Sequence, residues 1–248
     1  MSETELKPAS TLDEYSRSVA ETWRKEGHNA ITWRDDYAGL IKGEFGELLH
    51  QHGTMYIFLD SLSKIDTSEG RKRFFADNQA QYDGLVEELG DLLWFSFRTA
   101  AEIEIDPKEA SQQALSRYTQ QAYVPFQTFE EIEEQVVKDA RAIAVPSKYG
   151  LRHPEELPEN FVDLTESPQY VIMRLVFRLA RALEEGKSDT PPYTASMMEP
   201  IPELSQSIGD CINIVAYVSR QILELPTEEV ARRNIEKLRK RALNGKES

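Results

Sequence analysis

The sequence has one cysteine, Cys211, so no disulfide can form within the chain and a cysteine-based zinc cluster is excluded. It also lacks any apolar run near the roughly 20 residues that a membrane-spanning helix needs. Its first ten residues, MSETELKPAS, are polar and acidic, unlike a signal peptide. These absences predict a cytoplasmic protein with no membrane partner.

Basic residues are scarce relative to acidic ones. The chain carries 29 Lys and Arg against 43 Asp and Glu, a formal net charge of −14. Such a surface repels nucleic-acid backbones and anionic lipids, so we expect no nucleic-acid partner. A polyphosphate substrate would need metal ions or a local basic patch to overcome this repulsion.

Most of the sequence has the periodicity of amphipathic helices. Apolar residues recur at spacings of three and four along nearly every long segment, which predicts an all-α helical bundle. Thr11 and Glu14 have the spacing of a capping box, and Asp106 with Pro107 is typical of a helix start. The predicted helices cover about 11–25, 35–51, 70–81 and 81–105, with another from Pro107, whereas proline-rich 145–168 and 187–202 are predicted to be loops.

The second half of the sequence resembles the first. Segment 11–24 aligns with 128–141, and 88–110 aligns with 207–229, each without a gap and at displacements of 117 and 119. The matches include a threonine cap, a Gly-Asp pair and a Pro-x-Glu turn. We therefore predict an internal duplication, with copies at 1–122 and 123–248. The alternative is that two amphipathic helical halves look alike by composition alone.

Two pairs of carboxylates stand out in the first copy. Glu44 and Glu47 lie three residues apart on one predicted helix, as do Glu88 and Asp91 on another, so each pair shares a helical face. Apolar neighbours indicate that both faces border the interior. Four uncompensated carboxylates would repel one another strongly, and oxygen ligands suit Mg²⁺ or Mn²⁺. The pattern therefore predicts a metal site.

These residues resemble a known family. The segment GEFGELLH, followed by EELGDLLWFSFRTAAEIEIDPKEA, is similar to the MazG-type all-α nucleoside triphosphate pyrophosphohydrolases, which include dimeric dUTPase-like enzymes. The resemblance implies Mg²⁺-dependent cleavage of a nucleoside triphosphate to a monophosphate and pyrophosphate. Its metal ligands and catalytic residues would be Glu44, Glu47, Glu88 and Asp91. One departure is Gly43, which stands where the family's EExxE motif has its first glutamate, so the group that activates water is left open.

The second copy has lost this acidic pattern and gained a basic one. Arg174 and Arg178 stand near the places of Glu44 and Glu47, and Ser207 replaces Glu88, although Asp210 remains. The resemblance extends to the last helix, where ARRNIEKLRKR matches the family's NxxKxxxR pattern and would supply three substrate-binding residues: Asn234, Lys237 and Arg241.

The first copy has Leu115 and Tyr118 in place of Asn234 and Lys237. Because acids persist in one copy and bases in the other, we predict a fused pseudo-dimer with one working site. The alternative is a basic last turn that only complements the helix dipole. Trp33, just before the first acidic helix, is the best candidate for the base pocket.

Two other functions were weighed. Glu47 and His50 have the Glu-x-x-His spacing of di-iron bundles, but that motif should occur twice and does not. A catalytically inactive nucleotide-binding or regulatory protein of the same fold is the second alternative. The sequence leaves open the preferred base and whether the chain forms a homodimer.

Overall fold

A computed structural model describes residues 11–22, 58, 61–62, 64–65, 67–102, 104–119, 125–148 and 202–243. These residues form α-helices, one π-helical turn and short connections, and none of them forms a strand. The all-α prediction is therefore confirmed. No helix in the described ranges is both long and apolar enough to cross a membrane.

The described part of the chain contains seven α-helices. They are α1 (Leu12–Thr22), α2 (Ser68–Asp77), α3 (Gln79–Glu102), α4 (Pro107–Thr119), α5 (Phe129–Lys148), α6 (Pro202–Tyr217) and α7 (Thr227–Leu243). The predicted helix at 70–81 is divided between α2 and α3. The loop prediction is wrong for 145–148, because α5 continues to Lys148 and a proline near a helix end removes only one hydrogen bond. The predicted helix at 35–51 lies outside the described residues.

Two helices begin with the same reciprocal cap. Before α1, the Thr11 N–H donates to Glu14 Oε2 and the Glu14 N–H donates to Thr11 Oγ1, both at 3.2 Å. Before α5, the Thr128 N–H donates to Glu131 Oε2 at 3.3 Å, and the Glu131 N–H donates to Thr128 Oγ1 at 3.2 Å. The capping box predicted at Thr11 is confirmed.

Two helical segments end at a glutamate in the left-handed conformation. Glu104 follows α3 with φ 57°, and Glu224 follows the π-helical turn Val218–Ile222 with φ 53°. Non-glycine residues adopt this conformation rarely, because Cβ crowds the backbone. Glu104 lies three residues before Pro107, which begins α4, and Glu224 lies two residues before Pro226, which directly precedes α7.

Helices α3 and α6 form the centre of the core. Helix α4 packs along α6, and α7 packs along α3; α1 contacts α3 and α7, while α5 contacts α6 and α4. The α4–α6 contact is very close, since a Cβ on Gly209 would lie 2.0 Å from the Ala110 carbonyl oxygen. Tyr15 of α1 is fully buried and makes edge contacts with Phe97 and Phe129. The single cysteine, Cys211, is buried among these helices.

Candidate functional site

The predicted acidic pair on α3 lies at the edge of the core. Glu88 and Asp91 are one turn apart on α3. Glu88 is 7% exposed, and the Asp91 side chain is 18% exposed. The expectation that this face borders the interior is therefore confirmed.

Helix α7 supplies the partners of Asp91. Asn234 Nδ2 donates to Asp91 Oδ1 at 2.6 Å, and Lys237 Nζ contacts both Asp91 carboxylate oxygens at 2.6 Å. The close approach depends on Gly90, where a Cβ would lie 2.9 Å from Asn234 Cβ. The helix therefore needs glycine beside its aspartate for Asn234 to reach the carboxylate.

Burial is the main influence on the titration of Asp91. It raises the pKa of this carboxyl above its ordinary value, and the nearby Glu87 carboxylate adds to the rise. The charge of Lys237 and the hydrogen bonds from Lys237 and Asn234 act in the opposite direction without cancelling it. The environment therefore penalises the charged carboxylate, and the partners on α7 reduce that penalty.

A third helix brings a polar group toward the same carboxyl. Burial raises the pKa of the Tyr15 hydroxyl well above 10.0, and the negative charge of Asp91 raises it further. Neither this hydroxyl nor Asn234 Oδ1 has a hydrogen-bond partner within the described part of the chain, although both are buried. The surroundings of Asp91 thus include two polar atoms able to bond a ligand or water.

An acidic stripe on α3 faces a basic stripe on α7. The acidic stripe is Asp83, Glu87 and Asp91, and the basic stripe is Arg233, Lys237 and Arg241. Arg233 contacts Asp83 at 3.3 Å, Lys237 contacts Glu87 at 3.1 Å, and Arg241 contacts Glu87 at 3.8 Å. Both stripes have a spacing of four residues, which keeps their members on one face of each helix.

A pocket of about 560 Å³ opens beside these stripes. Four basic and three acidic side chains line it, giving a net charge of +1 in a chain whose total is −14. Asn234 and Val86 complete the lining. The lining charged residues are Asp83, Glu87, Arg233, Glu236, Lys237, Lys240 and Arg241. The pocket is therefore a locally basic region suited to an anion.

Half of the predicted metal ligands cannot be placed. Glu44 and Glu47 lie outside the described residues, as do Trp33, Arg174 and Arg178. Within the described ranges no three His, Cys, Asp or Glu side chains are grouped closely enough to hold a metal ion. The described donors are hard oxygen atoms from Glu88, Asp91 and Oδ1 of the Asn234 amide, and this chemistry fits Mg²⁺. Lys237 would have to release Asp91 for a metal to bind there.

The second-copy counterparts of these acids belong to the core. Ser207 and Asp210 are buried on α6, and Leu115 of α4, which aligns with Asn234, is fully buried. Trp94 of α3 is buried and donates through Nε1 to Thr22 Oγ1 at 3.0 Å. These positions contribute to packing.

Several residues of the site were missed in the sequence. Glu87 points about 100° away from Glu88 around the helix, but it lies four residues before Asp91 and therefore shares the face of Asp91. The same spacing joins Arg233 to Lys237 and Lys237 to Arg241, a signal that the sequence does carry. Nothing local distinguishes the Tyr15 hydroxyl from that of any core tyrosine.

The chain was compared with protein-family models, with curated proteins and with solved structures, and none of the three comparisons finds a match.

Proposed function

We propose that the protein is a Mg²⁺-dependent nucleoside triphosphate pyrophosphohydrolase with one active site per chain. The observation that carries the proposal is the contact of Asn234 and Lys237 with Asp91. The predicted substrate-binding residues of the last helix thereby adjoin a predicted metal ligand of the first copy. The pocket that Asn234 and Lys237 help to line is locally basic, which suits a polyphosphate in an otherwise acidic protein.

The helix contacts support the proposed fusion of two copies. The alignment pairs α1 with α5, α3 with α6, and α4 with α7. If the two copies are equivalent, each contact should have a counterpart in which every helix is replaced by the helix it aligns with. The counterpart of α4–α6 is α7–α3, that of α1–α3 is α5–α6, and that of α1–α7 is α5–α4. Each of these contacts is present, as expected of a pseudo-dimer in which each half's last helix packs on the other half.

In this proposal the chain's own residues divide the work between binding and orientation. Glu44, Glu47, Glu88 and Asp91 would hold the metal ions. When bound, Mg²⁺ would neutralise phosphate charge and lower the pKa of the attacking water. Lys237, Arg241 and Arg233 hold phosphate oxygens through charge-assisted hydrogen bonds, and Asn234 orients Asp91. Because the Asp91 carboxylate is largely buried, contact with a metal ion or another cation is favourable, since either compensates the buried charge.

The first prediction concerns turnover. Incubation with Mg²⁺ and each natural nucleoside triphosphate, including dUTP, should release pyrophosphate and the monophosphate, measured by phosphate-coupled assay and chromatography. Asp91→Ala and Glu47→Ala should each lower kcat/KM more than about 100-fold. Removing a residue that only supports a metal ligand typically lowers activity by about 10- to 100-fold, so a larger loss indicates a direct ligand. Glu130→Ala, an exposed carboxylate on α5, is the matched control and should retain activity.

A charge reversal tests whether α7 contributes to the active site or is only a helix with a basic end. Lys237→Glu should abolish turnover, and intact activity in this variant would remove the contribution of α7.

The second candidate function is a nucleotide-binding or regulatory protein without turnover. The observation that favours it is the mutual satisfaction of Asp91 and Lys237, which holds the carboxylate without any metal. Nucleotide binding by calorimetry with no pyrophosphate release from any triphosphate would select this function.

A further inference from the structure

Carboxylates surround the Lys237 ammonium group, which donates hydrogen bonds to Asp91 and forms an ion pair with Glu87. The ammonium group has three N–H bonds, and three carboxylate oxygens lie within 3.1 Å of Nζ. Two belong to Asp91 and one to Glu87. An anion that enters the pocket must therefore displace one of these oxygens before Lys237 can bind it.

Glu87 is the weaker and more accessible of the two competitors. Its carboxylate is 3.1 Å from Lys237 Nζ, whereas the Asp91 oxygens are at 2.6 Å. The Glu87 side chain is 48% exposed, and that of Asp91 is 18% exposed. Glu87 also contacts Arg241 at 3.8 Å, so one carboxylate occupies two of the four basic groups that line the pocket.

We propose that Glu87 is an internal competitor for the anion site between α3 and α7. Its carboxylate takes the place of a ligand oxyanion on Lys237 and Arg241, and a phosphate or pyrophosphate binds by displacing it. Glu87 therefore sets the affinity of the pocket, so that a ligand with several anionic oxygens competes successfully and a ligand with a single carboxylate does not. The inference rests on the proposed function only in assigning phosphate to this pocket.

The pocket offers a matched control for charge. Glu236 also lines the pocket, and its side chain is 45% exposed, close to the exposure of Glu87. Its carboxylate is held by Arg232, which does not line the pocket. Glu87→Gln and Glu236→Gln thus remove the same charge from the lining of the same pocket, but only the first releases Lys237 and Arg241.

The experiment is calorimetric titration of the full chain with inorganic pyrophosphate, without divalent metal and at fixed low salt. Glu87→Gln should lower the Kd for pyrophosphate about tenfold. The substitution removes the ion pairs of Glu87 with Lys237 and Arg241, and loss of each exposed ion pair changes the Kd by up to about fivefold. Glu236→Gln should change the Kd less than about threefold. Glu87→Asp keeps the charge but shortens the reach, so it should also tighten binding.

Three results would overturn the inference: equal effects of the two glutamine variants, weaker binding by Glu87→Gln, or no pyrophosphate binding by wild type and both variants. Thermal unfolding confirms that each variant is folded. The test involves no hydrolysis, so a protein without turnover can still support the competitor role. Conversely, an active enzyme whose pyrophosphate affinity is unchanged in Glu87→Gln would refute this inference alone.

Discussion

At the scale of single residues, the charged groups of α7 do two kinds of work. Lys237 and Arg241 reach across to α3, whereas Glu229, Arg232 and Arg233 pair mainly within their own helix. Glu229 accepts hydrogen bonds from Arg232 at 2.6 and 2.7 Å and from Arg233 Nε at 2.8 Å. The hydrogen bond to Glu229 fixes the Arg233 side chain, and Arg233 Nη1 at the same time contacts Asp83 on α3.

The pH dependence of this cluster can be predicted from Glu229. The hydrogen bonds from Arg232, and then those from Arg233, lower the pKa of Glu229 below its ordinary value of 4.5, against an opposing effect of burial. A carboxyl whose folded pKa is depressed stabilises the fold above its unfolded pKa and loses that contribution as the pH falls through the folded pKa. Glu229→Gln should therefore lower the free energy of unfolding by about 1 kcal/mol at pH 7.

The gap between wild type and Glu229→Gln should stay constant down to about pH 4.5 and shrink below it. Urea unfolding monitored by circular dichroism at a series of pH values measures this gap. Glu134→Gln, at an exposed position of α5, should show almost none. A gap that widens on acidification would mean that the arginine contacts do not form.

The sequence predicts some site residues and misses others for a physical reason. Glu88 and Asp91 are visible because charged residues within an apolar helical run are costly to bury without a partner. The partner of Asp91 could not be located by periodicity, because Asn234 and Lys237 lie 143 and 146 residues away. The family resemblance suggested these residues, and it remains a resemblance. The spacing of four residues between Glu87 and Asp91 places both on one helical face, so Glu87 could have been predicted from the sequence.

At the scale of helices, caps were predictable and some ends were not. Thr11, Asp106 and Pro107 signal helix starts through local hydrogen bonding, so sequence alone suffices. The left-handed glutamates after α3 and after the π-helical turn carry no such signal, since the conformation is typical of glycine. The continuation of α5 past Pro146 was missed because proline was treated as a helix break.

The contact between α4 and α6 gives a prediction at this scale. Gly209→Ala should lower the free energy of unfolding by about 3 kcal/mol, because the new Cβ would meet the Ala110 carbonyl oxygen and force the helices apart. The cost exceeds the roughly 1 kcal/mol that alanine gains over glycine in a helix. Urea unfolding measures it.

Gly90→Ala is the companion variant, since its Cβ would meet the Asn234 side chain rather than backbone. It should cost less stability than Gly209→Ala and should displace Asn234 from Asp91. If Gly209→Ala were as stable as wild type, α4 and α6 would have to be farther apart than described.

At the scale of the whole molecule, the two proposed copies share one core. The last helix of each packs on the long helix of the other: α4 on α6, and α7 on α3. The buried faces of α3 and α6 are apolar on more than one side, with Leu93 and Ile212 completely buried. In each half, part of the surface that covers the long helix comes from the other half.

Separate expression of residues 1–122 and 123–248 should therefore yield fragments that do not unfold cooperatively. Each would expose apolar surface that is buried in the intact chain. Thermal circular dichroism and size-exclusion chromatography of each fragment and of their mixture measure this, with the intact chain as reference. Cooperative unfolding of 1–122 alone would show that the first copy is an independent domain.

The link from Asp91 to Asn234 and Lys237 joins distant parts of a single polypeptide. Assembly of this cluster is consequently a unimolecular event, and dilution cannot separate its members. A site built from residues of two identical subunits would instead be lost at low concentration, because the subunits would dissociate. Under the proposed function, turnover per molecule should therefore be independent of protein concentration wherever the chain remains folded.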